Sequence, residues 1–316
     1  MKTRHAFTLV EILTVCTIIA ILATLVTLAA AGAMRAAKRG KIAMEMGQIA
    51  MALDRYKAEF GEYPPDMFDN DALVRHVKKR WPRLDLENLC LMFPAGSPAE
   101  SIKIAINNAY GSSDYGKDVD FTSVGSEIGS LVLWLGGFPN GDGKLSGFYA
   151  DPENPFTPID KFDNKSFIDL EIGKNKSVRL FSVGNNMFVP VIGSETRKAF
   201  LPIVYFRGLS SGGKTSYMIP IGHEKAGENK QFDFSSAGLG FCVPYAEENN
   251  GGVIKWEHPS SFQLIHPGLD GNFGESLSAS SSAPLRVIKT GDNIGSQDLD
   301  NLTNFSDYKE LKSILP

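Results

Sequence analysis

The sequence predicts an α+β protein. A long N-terminal helix, with a membrane half and an amphipathic half, packs on an antiparallel β-sheet head that carries large insertions. Three observations predict it. Residues 7–34 form an apolar run with one charge, Glu11. Residues 35–62 continue in helical periodicity. Beyond them, short apolar runs alternate with segments rich in Gly, Pro, Asn and Ser.

The apolar run, FTLVEILTVCTIIAILATLVTLAAAGAM, spans about 40 Å as a helix at about 1.5 Å per residue. That exceeds a bilayer core of about 30 Å. A secretory signal peptide has a shorter apolar core, about 7–15 residues, and ends in a small-x-small site. This run is longer and flows without a break into more helix. Lys2, Arg4 and His5 precede it; Arg35, Lys38, Arg39 and Lys41 lie beyond it. Counting Lys and Arg alone places the C-terminal flank in the cytoplasm. Glu11 is the informative residue, because a carboxylate at membrane depth costs on the order of 3 kcal/mol and tends to be functional.

In the second half, Ile42, Met46, Ile49, Leu53, Tyr56 and Phe60 recur in steps of four and three. That spacing gathers them on one face, with Arg39, Glu45, Gln48, Arg55 and Glu59 largely off it. Gly61 is the expected C-cap, and Pro64 and Pro65 forbid continuation. In the head, residues 69–80 read as a helix ended by Pro82, and residues 128–135 as a short helix or a strand. Strands are expected at 178–183, 200–206, 216–221, 240–243 and 261–265. Strands after a long helix point to α+β with an antiparallel sheet.

The string RHA-FTLVEI at residues 4–12 resembles the class III leader of type IV pilins and type II secretion pseudopilins. That resemblance implies a prepilin leader at 1–6 and cleavage between Ala6 and Phe7 by prepilin peptidase, with N-methylation of Phe7 afterwards. Ala6 stands where the family usually has Gly. The resemblance also implies that Glu11 neutralises the N-terminal amine of a neighbouring subunit during assembly. LDRYKAEFGEYPPD, residues 53–66, resembles the end of the pseudopilin helix, where a Tyr-Pro step turns the chain into the head. The head, residues 63–316, is larger than a typical pilin head, so large insertions are expected before the final sheet.

Near the C-terminus, SFQLIHPGLDGNFGE resembles the terminal segment of major, G-type pseudopilins, whose loop can bind Ca2+. By that resemblance Asp270 is a candidate ligand, with Asp292, Asp298 and Asp300 as further oxygen donors. The spacing is not an EF-hand, and a Gly-rich turn with solvated acids is the alternative. Of three cysteines, Cys16 lies in the apolar run. A Cys90–Cys242 disulfide outside the cytoplasm and two separate buried thiols are both compatible with the sequence.

Residues 208–215, GLSSGGKT, match the phosphate-loop pattern G-x-x-x-x-G-K-[ST], which works only between a strand and a helix N-terminus. The next segment, SYMIPIG, reads as a second strand, so a β-hairpin is expected instead. The same stretch holds a G-x-S-x-G match around Ser210, with His223, His258 and His266 downstream. The helix of a nucleophile elbow is missing there too. Trp81, Trp134 and Trp256 are expected to be core residues.

A net charge of −4 and a pI near 5.8 argue against a nucleic-acid partner, which calls for a basic excess. The resemblance to pilins and pseudopilins implies a non-enzymatic structural subunit of a type IV pilus or type II secretion pseudopilus. The same resemblance implies a single-pass bacterial inner-membrane protein with an extracytoplasmic head before it joins the filament. Expected partners are prepilin peptidase, other pilin or pseudopilin subunits, the inner-membrane assembly platform and membrane lipid. Two other readings compete with it. One is a minor tip subunit whose head binds a surface or substrate; the other is a membrane-tethered enzyme.

Overall fold

The computed structural model describes residues 8–111, 126–159, 161–170, 178–183, 187–195, 200–211, 214–218, 230–275 and 285–316. The chain divides into two compact units, 1–42 and 43–316.

The first unit is helical. Helix α1, Leu9–Phe60, begins here and is long and apolar enough to cross a membrane. Its most apolar 18-residue window has a mean hydropathy of 2.6, and none of it is buried within the chain. Four hydroxyls in this stretch are satisfied locally. Thr14, Thr17, Thr24 and Thr27 each donate Oγ1 to the carbonyl four residues back, at 2.8 Å. With no water in a bilayer core, such back-bonding is the cheap way to carry threonine there.

In the second unit, α1 buries Met46, Ile49, Leu53 and Tyr56, the stripe its periodicity predicts, with Phe60 half-buried. Each such side chain contributes about 1.5–3 kcal/mol on burial. The helix stops as expected. Gly61 takes φ +77°, a left-handed value that costs other residues, and its N–H reaches the Lys57 carbonyl at 2.7 Å. The rigid Pro64–Pro65 step comes next, pinned where Tyr205 donates its hydroxyl to the Pro64 carbonyl at 2.7 Å.

Among the described residues, four shorter α-helices lie beyond it. In α2, Asn70–Arg80, the Asp69 carboxylate caps the Ala72 N–H, and Lys78, Lys79 and Arg80 occupy the last turn, where the helix dipole favours cations. Helix α3, Leu86–Met92, is capped the same way by Asp85 on the Asn88 N–H. Helix α4, Pro98–Gly111, starts with Ser97 accepting from the Glu100 N–H and Pro98 in the first helical position. Helix α5, Ser130–Gly136, is buried along its whole length, Trp134 included. Of the two conformations its sequence allows, helix and strand, this segment takes the helix. It ends at Gly137, φ +75°, where an added Cβ would stand 2.1 Å from the Gly147 carbonyl oxygen.

The strands form several small sheets rather than one broad one. β1 (Val178–Val183), β2 (Met187–Glu195) and β3 (Phe200–Pro202) make an antiparallel meander. β4 (Val204–Arg207) starts after a one-residue break at Ile203, whose N–H bonds back to Ile192. The continuous strand expected at 200–206 is therefore divided between two sheets. β5 (Leu209–Ser211) and β6 (Lys214–Ser216) form a hairpin. The strand expected at 216–221 starts earlier, as β6, and residues 219–221 lie outside the described residues. β7 (Phe232–Asp233) pairs with β8 (Phe241–Cys242), and β9 (Tyr245–Asn250) with β10 (Val253–Trp256). β11 (Phe262–His266) is flanked by β4 and β13 (Leu302–Thr303), both antiparallel to it. β12 (Arg286–Val287) joins β9 in parallel, an exception to the antiparallel pairing. Their shared core holds Phe206, Tyr217, Tyr245, Trp256, Ile265 and Phe273. The architecture is α+β, a long N-terminal helix and then antiparallel sheets, consistent with the pilin fold.

Candidate functional site

The site of interest begins at the first turn of α1. Ala6 and Phe7 lie outside the described residues. Thr8 and Glu11 are described, and they bond reciprocally. The Glu11 N–H donates to Thr8 Oγ1 at 3.3 Å, while Glu11 Oε2 accepts from both the Thr8 N–H and Thr8 Oγ1 at 2.8 Å. This is a capping box: N-cap Thr8 and Glu11 three residues on satisfy backbone N–H groups that have no partner within the helix. Glu11 therefore has a task inside its own chain, beyond the one the leader resemblance implies. The T-x-x-E spacing ahead of the apolar run is the sequence signal for it.

The acidic residues near the C-terminus do not form one cluster. Asp300 Oδ2 accepts from the Leu269 and Asp270 N–H groups at 2.8 and 3.1 Å, so these two aspartates meet. Burial foremost, with the Asp300 carboxylate adding to it, pushes Asp270 up to about 6; a proton there relieves the repulsion. Asp298 is engaged elsewhere, with Oδ1 3.0 Å from Arg286 Nε. Asp292 accepts from Thr290 Oγ1 at 2.7 Å within its own turn. Among the described residues, no three His, Cys, Asp or Glu side chains gather as a metal would need. Calcium takes about six to eight oxygens, and among the described residues these four aspartates do not gather as one set. Cys90, half-buried on α3, and Cys242, sealed in the strand core, are separate free thiols. No Cys90–Cys242 bridge is part of this structure.

The sequence motifs that mimic enzymes resolve into plain structure. Ser210 pairs with Thr215, and Ser211 with Lys214, across the β5–β6 hairpin. Lys214 and Thr215 run on as strand to Ser216, so no helix starts there to hold a phosphate or form a nucleophile elbow. His223 lies outside the described residues. His258 is exposed, with Nδ1 3.2 Å from Asn304 Nδ2, and His266 is fully buried with Nε2 2.6 Å from Ser194 Oγ.

The other end of α1 carries a buried polar network. His76 Nε2 lies 2.6 Å from the Tyr56 hydroxyl, and its Nδ1 lies 2.9 Å from Glu62 Oε1. Glu62 Oε2 takes the Arg207 guanidinium at 2.9 Å, and Arg80 Nη1 donates to Tyr56 at 3.2 Å. The His76 hydrogen bond, helped by Arg207, holds Glu62 down to about 2, well below its ordinary 4.5. Burial holds His76 below its ordinary 6.5, so the imidazole is neutral. Both groups bind protons more readily in the unfolded chain, so both lose stabilisation as pH falls. His76 acts first, below pH 6.5, and Glu62 next, between about 4.5 and about 2. The expected result is a denaturation midpoint that drops steadily with acid in the intact chain, and drops less below pH 4.5 in Glu62→Gln. A midpoint flat from pH 6.5 to 3 would remove this role.

Among the described residues one helix is long and apolar enough to cross a membrane, and it starts at a capped, acid-bearing turn. Residues 1–27 match the family model for the prokaryotic N-terminal methylation motif. The chain thus carries the signal of type IV pilins and pseudopilins at the head of a long apolar helix. No curated protein and no solved structure is significantly similar to it. The motif implies processing by prepilin peptidase and assembly with other pilin subunits. The apolar helix fits membrane anchoring.

Proposed function

We propose that the chain is a structural subunit of a type IV pilus or a type II secretion pseudopilus. One observation carries this reading: the methylation motif at 1–27 heads a helix whose large apolar residues, Leu9 to Leu28, stand exposed. A surface like that is stable in only two settings, lipid and a bundle of like helices. The subunit passes from the first to the second. The leader faces the cytoplasm and the head lies outside it, an orientation that derives from the motif and runs against the simple Lys and Arg count. Prepilin peptidase cuts between Ala6 and Phe7 and methylates the new amine. An inner-membrane platform then lifts the helix into the filament, where Glu11 meets the amine of a neighbour.

The N-terminus of the chain isolated from its native membrane tests this. Mass spectrometry is expected to find a mature chain starting at N-methylated Phe7. A chain beginning at Met1, or one cut near Ala31, would mean the helix is a plain anchor or a signal sequence.

A further inference from the structure

We infer that Lys230 and Asp66 form an intramolecular isopeptide bond, which covalently ties the segment just beyond α1 to the strand core of the head. The geometry is specific. Lys230 Nζ lies 2.6 Å from Asp66 Oδ2, and the two side chains are 0% and 1% exposed. One backbone residue on β4 holds both partners. The Arg207 N–H donates to Asp66 Oδ2 at 2.9 Å, and the Arg207 carbonyl accepts from Lys230 Nζ at 2.8 Å. A further donor, the Phe68 N–H, reaches Asp66 Oδ1 at 3.4 Å. The wall beside the pair is aromatic. The Phe68 ring is 5.8 Å from Nζ, and it packs on Phe232 and Phe206 with centroids 5.2 and 6.2 Å away.

These surroundings favour condensation over a lasting ion pair. An apolar site penalises a buried ammonium, so the free amine that condensation needs competes with it. Burial lowers the basicity of Lys230 in that direction, while the carboxylates of Asp66 and Asp69 oppose it. Holding amine and acid in contact converts a bimolecular reaction into a positional one, which is worth many orders of magnitude in effective concentration. Sealing the pair from solvent keeps out the water that would reverse the reaction.

The step balances without any co-reactant. The Lys230 ammonium passes one proton to the Asp66 carboxylate. The free amine attacks Cγ while the Arg207 N–H stabilises charge on Oδ2. The Nζ–Cγ bond forms, one Cγ–O bond breaks, and the oxygen leaves as water carrying two of the original ammonium protons. Nothing is oxidised or reduced. The product closes a covalent loop over residues 66–230. Load applied through α1 then reaches the strand core directly and bypasses residues 67–229.

Tryptic mapping of the full chain, extracted from membranes in detergent and then denatured, tests the bond. Trypsin releases Asp66 within residues 58–75 and, if Lys230 is free, cuts after it. The expected product is a branched peptide joining 58–75 to 226–255, uncut at Lys230 and lighter by one water than the two together. Asp66→Asn is expected to give the identical branched product, because the amide loses ammonia where the acid loses water. Lys230→Arg is expected to give only linear peptides. Linear peptides and full cleavage after Lys230 in a wild-type chain that resists limited proteolysis before denaturation would overturn the proposal. Neither peptide includes the leader, so the result is independent of how the N-terminus is processed.

Discussion

Glu11→Ala and Glu11→Gln chains are both expected to enter the membrane and both to fail in assembly. The two substitutions separate the cap from the charge. In Glu11→Ala the glutamate half of the capping box is lost, while the residue-11 N–H keeps its bond to Thr8 Oγ1. The negative charge that would meet a neighbour's amine is lost as well. Glutamine serves in a capping box as glutamate does, so Glu11→Gln keeps the bonds to Thr8 and removes only the charge. An unpaired charged group at membrane depth costs on the order of 3 kcal/mol, so either variant should lower the assembled fraction by about 100-fold. Assembly is read by shearing filaments from cells, or by cross-linking neighbours, against the membrane-bound pool. Normal assembly by both variants would end the pairing mechanism. Normal assembly by Glu11→Gln alone would mean that the helix cap, not the charge, is what assembly requires.

Asp298→Ala is expected to cost the head about 3–5 kcal/mol, because it strands a buried cation. Arg286 is 1% exposed and is held from every side. Its Nη1 donates to the Phe241 and Phe273 carbonyls, its Nη2 to the Glu275 carbonyl, and its Nε stands 3.0 Å from Asp298 Oδ1. Asp298 in turn accepts from the Tyr245 hydroxyl at 3.1 Å and the Gly295 N–H at 2.9 Å. Removing the carboxylate leaves the guanidinium with carbonyl partners and no counter-charge. Asp298→Asn keeps the size and an acceptor oxygen and should cost less than Asp298→Ala. Chemical denaturation of the intact chain in detergent measures both. A loss below about 1 kcal/mol for Asp298→Ala would show that the carbonyls alone carry the charge.

Which parts of this protein can be read from the chain depends on how local each cause is. The membrane half of α1 is a matter of composition, and its amphipathic half of period, so both are legible; so is the stop at Gly61 and Pro64. The helix at Asn70–Arg80 and the strand at Val178–Val183 are local in the same sense. Helix α4 carries its start signal in Ser97, Pro98 and Glu100, yet the apolar runs around it are short, and periodicity alone does not single it out. The reciprocal bonds of Thr8 and Glu11 are equally local, but the leader motif overlays them and gives Glu11 a second meaning.

Pairings between distant residues are not legible. Nothing in the spacing of Glu62, His76 and Arg207 shows that they meet, because Glu62 and Arg207 stand 145 residues apart and come together only where the end of α1 meets β4. Asp298 reads as a solvated acid or a ligand in the string DLDN; the fold makes it the counter-ion of Arg286. Nothing local to Lys230 shows its partner; chain topology buries it against Asp66. One long apolar helix bearing a methylation signal is written in the residues alone, because composition, period and motif act within a few turns of backbone. Which charges are buried, and with whom they pair, depends on the folded chain, because burial belongs to surfaces brought together from distant parts of it.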